Sequence, residues 1–164
     1  MVVIVMGVSG SGKTTIGERL AERLGWSFYE GDEYHSKANV EKMGRGEALT
    51  DEDRGPWLQA LREVIEEADR EGRSAVLACS ALKQKYRRRL RPESVDVRFV
   101  YLEASPALIR ERLTGRKGHF FDADLLDSQF AALEAPPDAL TVSAEPDPAT
   151  IVARVVEGLN LSGR

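Results

Sequence analysis

Gly7, Gly10 and Gly12 punctuate a stretch that closes on Lys13-Thr14, giving the complete pattern G-x-x-x-x-G-K-[ST] over residues 7–14. Glycines at this spacing let the backbone curl so that successive N–H groups point inward, where they can cradle phosphate oxygens. The Lys13 ammonium can then reach the β- and γ-phosphates, and the Thr14 hydroxyl can hold Mg²⁺. Such a loop works only between a buried strand and a helix N-terminus. Both are in place: the apolar run Val2-Val3-Ile4-Val5-Met6 precedes it, and Ile16, Leu20 and Leu24 follow at helical spacing before Gly25. The chain is read as binding a nucleoside triphosphate.

Two further clusters supply groups for chemistry on an acceptor. Glu30-Gly31-Asp32-Glu33-Tyr34-His35 follows a short strand at 26–30. A phosphoryl-transfer enzyme needs a carboxylate to orient the acceptor hydroxyl and take its proton. Asp32 is the best candidate, with Gly31 expected to let the backbone approach a ligand and Glu30 able to act through Mg²⁺-bound water. The plain alternative is that Glu30 and Asp32 cap a solvated loop. His35, taken alone, reads equally as a substrate contact or a structural side chain. Cys79-Ser80-Ala81-Leu82-Lys83 follows a third strand, at 74–79, where many phosphate-loop enzymes carry an acidic metal ligand. With none here, the metal must rely on Thr14, nucleotide oxygens, water and Asp32 or Glu30. Ser80 and Lys83 are placed to bond an anionic substrate.

Arg112 to Phe121 holds two glycines around Arg116 and Lys117, between two helix-like stretches. Hinge residues plus cations suit a lid over the transferring phosphoryl. The basic run Lys83 to Arg91 is read mainly as a solvated helix face. Asp51 and Asp53 stand at a helix start after Thr50 and are read as caps.

The elements that must position these groups alternate strand and helix along the chain, with strands at 2–6, 26–30, 74–79, 95–102 and 140–143. Helices are expected at 14–24, 37–45, 51–68, 82–90, 106–113, 122–133 and from Pro148, with Asp147 as N-cap. This pattern implies an α/β fold of three layers, a parallel sheet of about five strands with helices on both faces. Ligands then collect beyond the carboxyl ends of the strands. At 164 residues, 42% hydrophobic and 30% charged, the chain suits one domain with a real core. Its net charge of −4 argues against a nucleic-acid partner, and its single cysteine excludes an intrachain disulfide. No run is long enough to span a membrane, and together these features favour a cytoplasmic protein. No base-reading N-K-x-D is present, which sets GTPases aside, and Asp69-Arg70-Glu71-Gly72 reads as a helix-end turn.

Gly7 to Lys13, Glu30-Gly31-Asp32-x-x-His35, Asn39 to Met43, Leu49 to Leu58, Cys79 to Arg87 and Arg116-Lys117-Gly118-His119-Phe120-Phe121 together closely resemble the gluconokinases. The resemblance runs from residue 1 to about residue 133. It implies a phosphate-loop kinase fold of the nucleoside-monophosphate-kinase type, with a substrate-binding helical segment at about 33–58 and a lid at about 112–124. It implies ATP-dependent phosphorylation of D-gluconate at the 6-hydroxyl, with Mg²⁺ and a possible homodimer. Carried over by motif, Lys13, Asp32 and Arg116 are catalytic. Gly7, Ser9, Gly10, Ser11, Gly12, Lys13, Thr14 and Thr15, with Arg112, Arg116 and Lys117, hold the nucleotide, and Thr14 the metal. Asp32, His35, Lys42, Arg54, Ser80, Lys83 and His119 contact the substrate. Glu30 stands where some relatives have Asp, and Ser36 where Pro is common. The competing readings are a kinase for another hydroxy acid such as shikimate, and a nucleotide-binding module without transfer activity.

Overall fold

The computed structural model describes residues 1–114 and 123–161. Five parallel strands form one sheet: β1 (Val2–Met6), β2 (Ser27–Glu30), β3 (Ala75–Ala78), β4 (Val97–Glu103) and β5 (Leu140–Ser143). Their spatial order is β2-β3-β1-β4-β5, so β1 lies at the centre. It pairs with β3 from Val2↔Ala75 to Val5↔Ala78, and with β4 from Val2↔Val97 to Met6↔Tyr101.

Helices cover both faces. They are α1 (Lys13–Leu24), α2 (Lys37–Gly44), α3 (Asp51–Arg70), α4 (Gln84–Arg89), α5 (Pro106–Thr114), α6 (Ala123–Ala132) and α7 (Pro148–Gly158). The alternation within β1 shows why its sequence is an unbroken apolar run. Val3 and Val5 pack with Ile16, Leu20, Val152 and Val155 of α1 and α7, while Val2, Ile4 and Met6 pack with Leu58, Leu61 and Ile65 of α3. A strand covered on both sides has no solvent face to keep polar.

Local rules set the helix ends. Gly25 caps α1 in the left-handed conformation at φ 71°, its N–H returning to Ala21 and Glu22 carbonyls. Thr50 and Asp53 form a reciprocal capping box at the start of α3. Asp147 caps α7 ahead of Pro148. Asp69 to Gly72 is the end of α3 and its turn, as expected.

Three expectations need correction. The helix expected at 82–90 begins only at Gln84, because Ala81 adopts a left-handed φ of 45° and Lys83 is extended. Arg87 is not on a solvated face: it is 5% exposed, and its guanidinium donates to the Ala81 and Glu134 carbonyls at 2.7 and 2.8 Å. Those bonds hold the β3 exit in its strained conformation. Asp51 caps nothing; it accepts from Lys83 at 3.3 Å and from Lys85 and Tyr86, tying α3 to α4.

Candidate active site

Among the described residues, the chemistry-bearing loops gather at the carboxyl edge of the sheet, around the cleft between β1 and β3. The chain leaves β1 for β2 on one side and β3 for β4 on the other, and ligands bind at such a reversal. A bond from Gly7 N–H to the Ser80 carbonyl, 3.3 Å, joins the two exits.

The loop between β1 and α1 has the shape its glycines imply. Gly10 and Gly12 sit at φ 83° and 100°, conformations that side chains rarely adopt. A Cβ at Gly7 would lie 2.8 Å from Ser11 Oγ and 3.0 Å from the Leu102 carbonyl. Ser11 is 1% exposed, and its hydroxyl has no partner among the described residues. A loop of curled backbone holding an orphan hydroxyl and a lysine fits a polyphosphate. Lys13 Nζ donates to the Val8 carbonyl at 3.0 Å. Burial pulls its ammonium below the ordinary lysine range, while Asp32, Cys79 and Glu30 pull it back. An anionic ligand would relieve that desolvation.

Arg112, from α5, crosses this loop. It donates to the Gly10 and Ser11 carbonyls at 3.4 and 3.3 Å and to the Ala144 carbonyl beyond β5. It thereby closes one side of a cavity of about 180 Å³ lined by Gly12, Thr15, Pro146, Pro148 and Ile151 among others. Apolar walls with a guanidinium beside the phosphate loop suit the base of a nucleotide. Ala144, Pro146 and Ile151 had no sequence signal for this role beyond their place after a strand.

Thr14 Oγ1 donates to Glu30 Oε2, and Glu30 Oε1 accepts the Asp32 N–H at 3.3 Å. Glu30 is therefore both a cap and a neighbour of the expected metal ligand. Hard oxygens from a hydroxyl and a carboxylate are the donor set that Mg²⁺ takes alongside phosphates and water, so these residues fit it. Cys79 is a poor match for the same ion: Mg²⁺ takes hard oxygen donors, and this thiol is soft and buried, burial pushing its pKa up to about 12.

The acceptor side is a cavity of about 310 Å³ between the loop, the 31–34 turn, α3, the β3 exit and α6. Ser9, Lys13, Asp32, His35, Arg54, Ser80 and Lys83 all line it. The geometry thus brings together most residues the sequence singled out. Lys42 is placed elsewhere, donating to Asp53 at 2.8 Å outside the lining. Arg116, Lys117 and His119 lie outside the described residues. Gly31 serves a different purpose from the one expected: a Cβ there would stand 2.4 Å from the Ala78 carbonyl, so it admits β3 rather than a ligand.

Trp57 was missed as a site residue and organises much of this wall. Its indole N–H donates to the Gly31 carbonyl at 2.8 Å, and its ring stacks on His35 with centroids 4.3 Å apart and planes 14° apart. Asn39 Nδ2 donates to the Asp53 carbonyl at 2.8 Å, which fixes the amide's orientation, and faces His35 Nδ1 at 3.3 Å. His35 Nδ1 must then accept, leaving the proton on Nε2. Burial, opposed by Asp32 and aided by Arg54, lowers the His35 pKa and favours this neutral form. Arg54 donates to the Leu49 carbonyl at 2.6 Å and to Tyr86 Oη at 3.3 Å. Among the described residues it has no carboxylate partner at ion-pair distance, whereas Lys42 and Lys83 do.

A parallel sheet of this order, with a phosphate loop after its central strand and an acceptor cavity beside it, defines a phosphate-loop kinase. The comparisons narrow the class. A family model described as an AAA domain matches residues 2–136. A gluconokinase of Gluconobacter oxydans is 46% identical over 157 residues, covering 94% of this chain and 88% of the relative. The crystal structure of a gluconokinase from Sinorhizobium meliloti superposes with a TM-score of 0.83 at 40% identity, over 96% of this chain and 94% of that one. An unliganded sugar kinase from Janibacter superposes with a TM-score of 0.90 at 43% identity, over 98% and 95% of the two chains. The chain belongs to the family of that AAA-domain model and to the gluconokinase family.

Proposed function

We propose that this chain transfers the γ-phosphoryl group of ATP to the 6-hydroxyl of D-gluconate, giving 6-phospho-D-gluconate and ADP. The observation that carries the proposal is the shared wall: Lys13, Asp32 and Arg54 line one cavity with the neutral hydrogen-bonding groups of Ser9, His35 and Ser80. A polyhydroxy acid needs a cation for its carboxylate and neutral donors and acceptors for its hydroxyls. Arg54 is the best-placed anchor for the carboxylate, with Lys83 beside it once Asp51 shares it.

The catalytic work is positioning and charge neutralisation. The loop N–H groups and Lys13 hold the triphosphate, and Arg112 with the 180 Å³ cavity seats the base. Asp32 aligns the acceptor hydroxyl and takes its proton as the oxygen–phosphorus bond forms and the bond to the β–γ bridging oxygen breaks. Thr14, with Glu30, would hold Mg²⁺, which when bound neutralises charge on the β- and γ-phosphates. By the resemblance, Arg116 and Lys117 serve the transferring phosphoryl and His119 the substrate, within a lid at about 112–124. The segment at about 33–58 serves the acceptor. We also read the protein as cytoplasmic, acting on a small molecule with no nucleic-acid partner, and as a candidate for homodimer formation by its resemblance to the gluconokinases.

ADP release from MgATP with D-gluconate, beside shikimate and other sugar acids, tests the proposal. Gluconate-dependent turnover that is lost in Lys13→Ala supports it. Turnover only with another acid would move the specificity, and silence across the panel would leave a nucleotide-binding module.

A further inference from the structure

A side-chain contact ties α6, on the acceptor side, to the phosphate loop. Gln129 Oε1, on α6, accepts the Ser9 N–H of the phosphate loop at 2.7 Å, across 120 residues of sequence. Ser9 belongs to the run of backbone donors that a polyphosphate draws on. Gln129 also lines the acceptor cavity, with Ser128 and Ala132 from the same helix. Beyond α6 the chain is fixed independently: Glu134 N–H donates to the Leu82 carbonyl at 2.8 Å, and its carboxylate accepts the Gln84 N–H at 2.8 Å. These bonds anchor the chain just past α6 without drawing on the Ser9–Gln129 contact.

We propose that Gln129 serves the two substrates in turn, holding the Ser9 N–H while the loop lacks a triphosphate and turning to acceptor hydroxyls once a phosphate oxygen takes that N–H. The proposal rests on the kinase reading and deepens it. A phosphate oxygen is a stronger acceptor than a carboxamide because it is charged. Its arrival leaves the Gln129 carbonyl without its protein partner beside a polyol site, where a hydroxyl can replace the lost bond. An unmade hydrogen bond costs more than a made one contributes, so repairing it links the two binding events. Each substrate then strengthens the binding of the other.

Calorimetry on the full chain reads this directly, with D-gluconate titrated in the presence and absence of a non-hydrolysable ATP analogue and Mg²⁺. The expected result is gluconate binding roughly 2- to 12-fold tighter with the analogue, the worth of about one hydrogen bond. In Gln129→Met, of similar size but without the carboxamide, gluconate affinity becomes independent of the analogue. In turnover the same variant raises KM for gluconate more than it lowers kcat. Coupling in Gln129→Met equal to that of the wild type overturns the proposal, as does the absence of coupling in the wild type. If Gln129→Met does not fold, Gln129→Glu carries the test: its carboxylate grips Ser9 N–H and repels phosphate, so analogue affinity falls severalfold. Unchanged analogue affinity there overturns the proposal as well. Failure of the wild type to bind or phosphorylate gluconate would instead count against the kinase reading, not against the role of Gln129.

Discussion

Eight consecutive residues, Gly7 to Thr14, make the phosphate side of the site, whereas the acceptor side draws on the β2 exit, α3, the β3 exit and α6. The first is backbone chemistry: φ angles, N–H groups and one lysine. The second is side-chain chemistry, held by a stacked His35–Trp57 pair and by the Asp51 and Asp53 ion pairs. The lesson is that a generic ligand is met by a local motif, while a particular acceptor is met by residues that folding must assemble. It follows that the two sides should fail differently when altered.

The largest effect is expected on the phosphate side. Lys13→Ala should lower kcat by ~10²–10³, the usual worth of a positioned charge on the reacting group. Because burial already disfavours the Lys13 ammonium, its thermal midpoint should hold or rise. A fall in midpoint that matched the loss of activity would break the contrast. On the acceptor side the order reverses. Gly31→Ala must push β2 away from the Ala78 carbonyl and should cost about 1–3 kcal/mol of stability before any kinetic effect is read. Chemical denaturation checks this, and wild-type stability in that variant would contradict the packing described.

A smaller effect separates the substrates. Trp57→Phe keeps the stack on His35 but removes the donor to the Gly31 carbonyl, a loss of about 1 kcal/mol. KM for the acceptor should rise severalfold while KM for ATP stays unchanged. An equal rise in both would show that the wall is shared more widely than the cavity implies.

The smallest is a pH effect. The folded His35 pKa is lowered, so between its folded value and the ordinary 6.5 the unfolded chain binds the extra proton. Stability from this group is therefore present above 6.5 and lost as pH falls through the folded value. Protonation would also turn Nδ1 into a donor facing the Asn39 amide. NMR titration of the imidazole should find its midpoint below 6.5, and a midpoint above it would reverse the sign.

The sequence made the sheet, the phosphate loop and the Thr50 and Asp147 caps legible, since each is set by neighbours within a few positions. It also brought Asp32, His35, Arg54, Ser80 and Lys83 forward. It did not reveal Trp57, whose contact lies 26 residues away at Gly31 and whose place on the Leu61 face reads as core. Gln129 was equally hidden, although a polar residue three positions after Leu126 on an apolar face is a signal in hindsight. Asp51 reads as a cap because its partners lie across the α3–α4 contact, and Arg87 reads as solvated because its acceptors lie at the β3 exit and past α6, neither within its own helix.

The central claim is that Asp32 makes the cavity a kinase site rather than a polyol-binding pocket. Asp32→Asn, assayed for gluconate-dependent ADP release alongside direct binding of gluconate and of a non-hydrolysable ATP analogue, tests it most directly. The account predicts kcat lower by ~10²–10⁴ with both affinities within a few-fold of wild type. Near wild-type turnover, or a loss explained wholly by weaker binding, would contradict it.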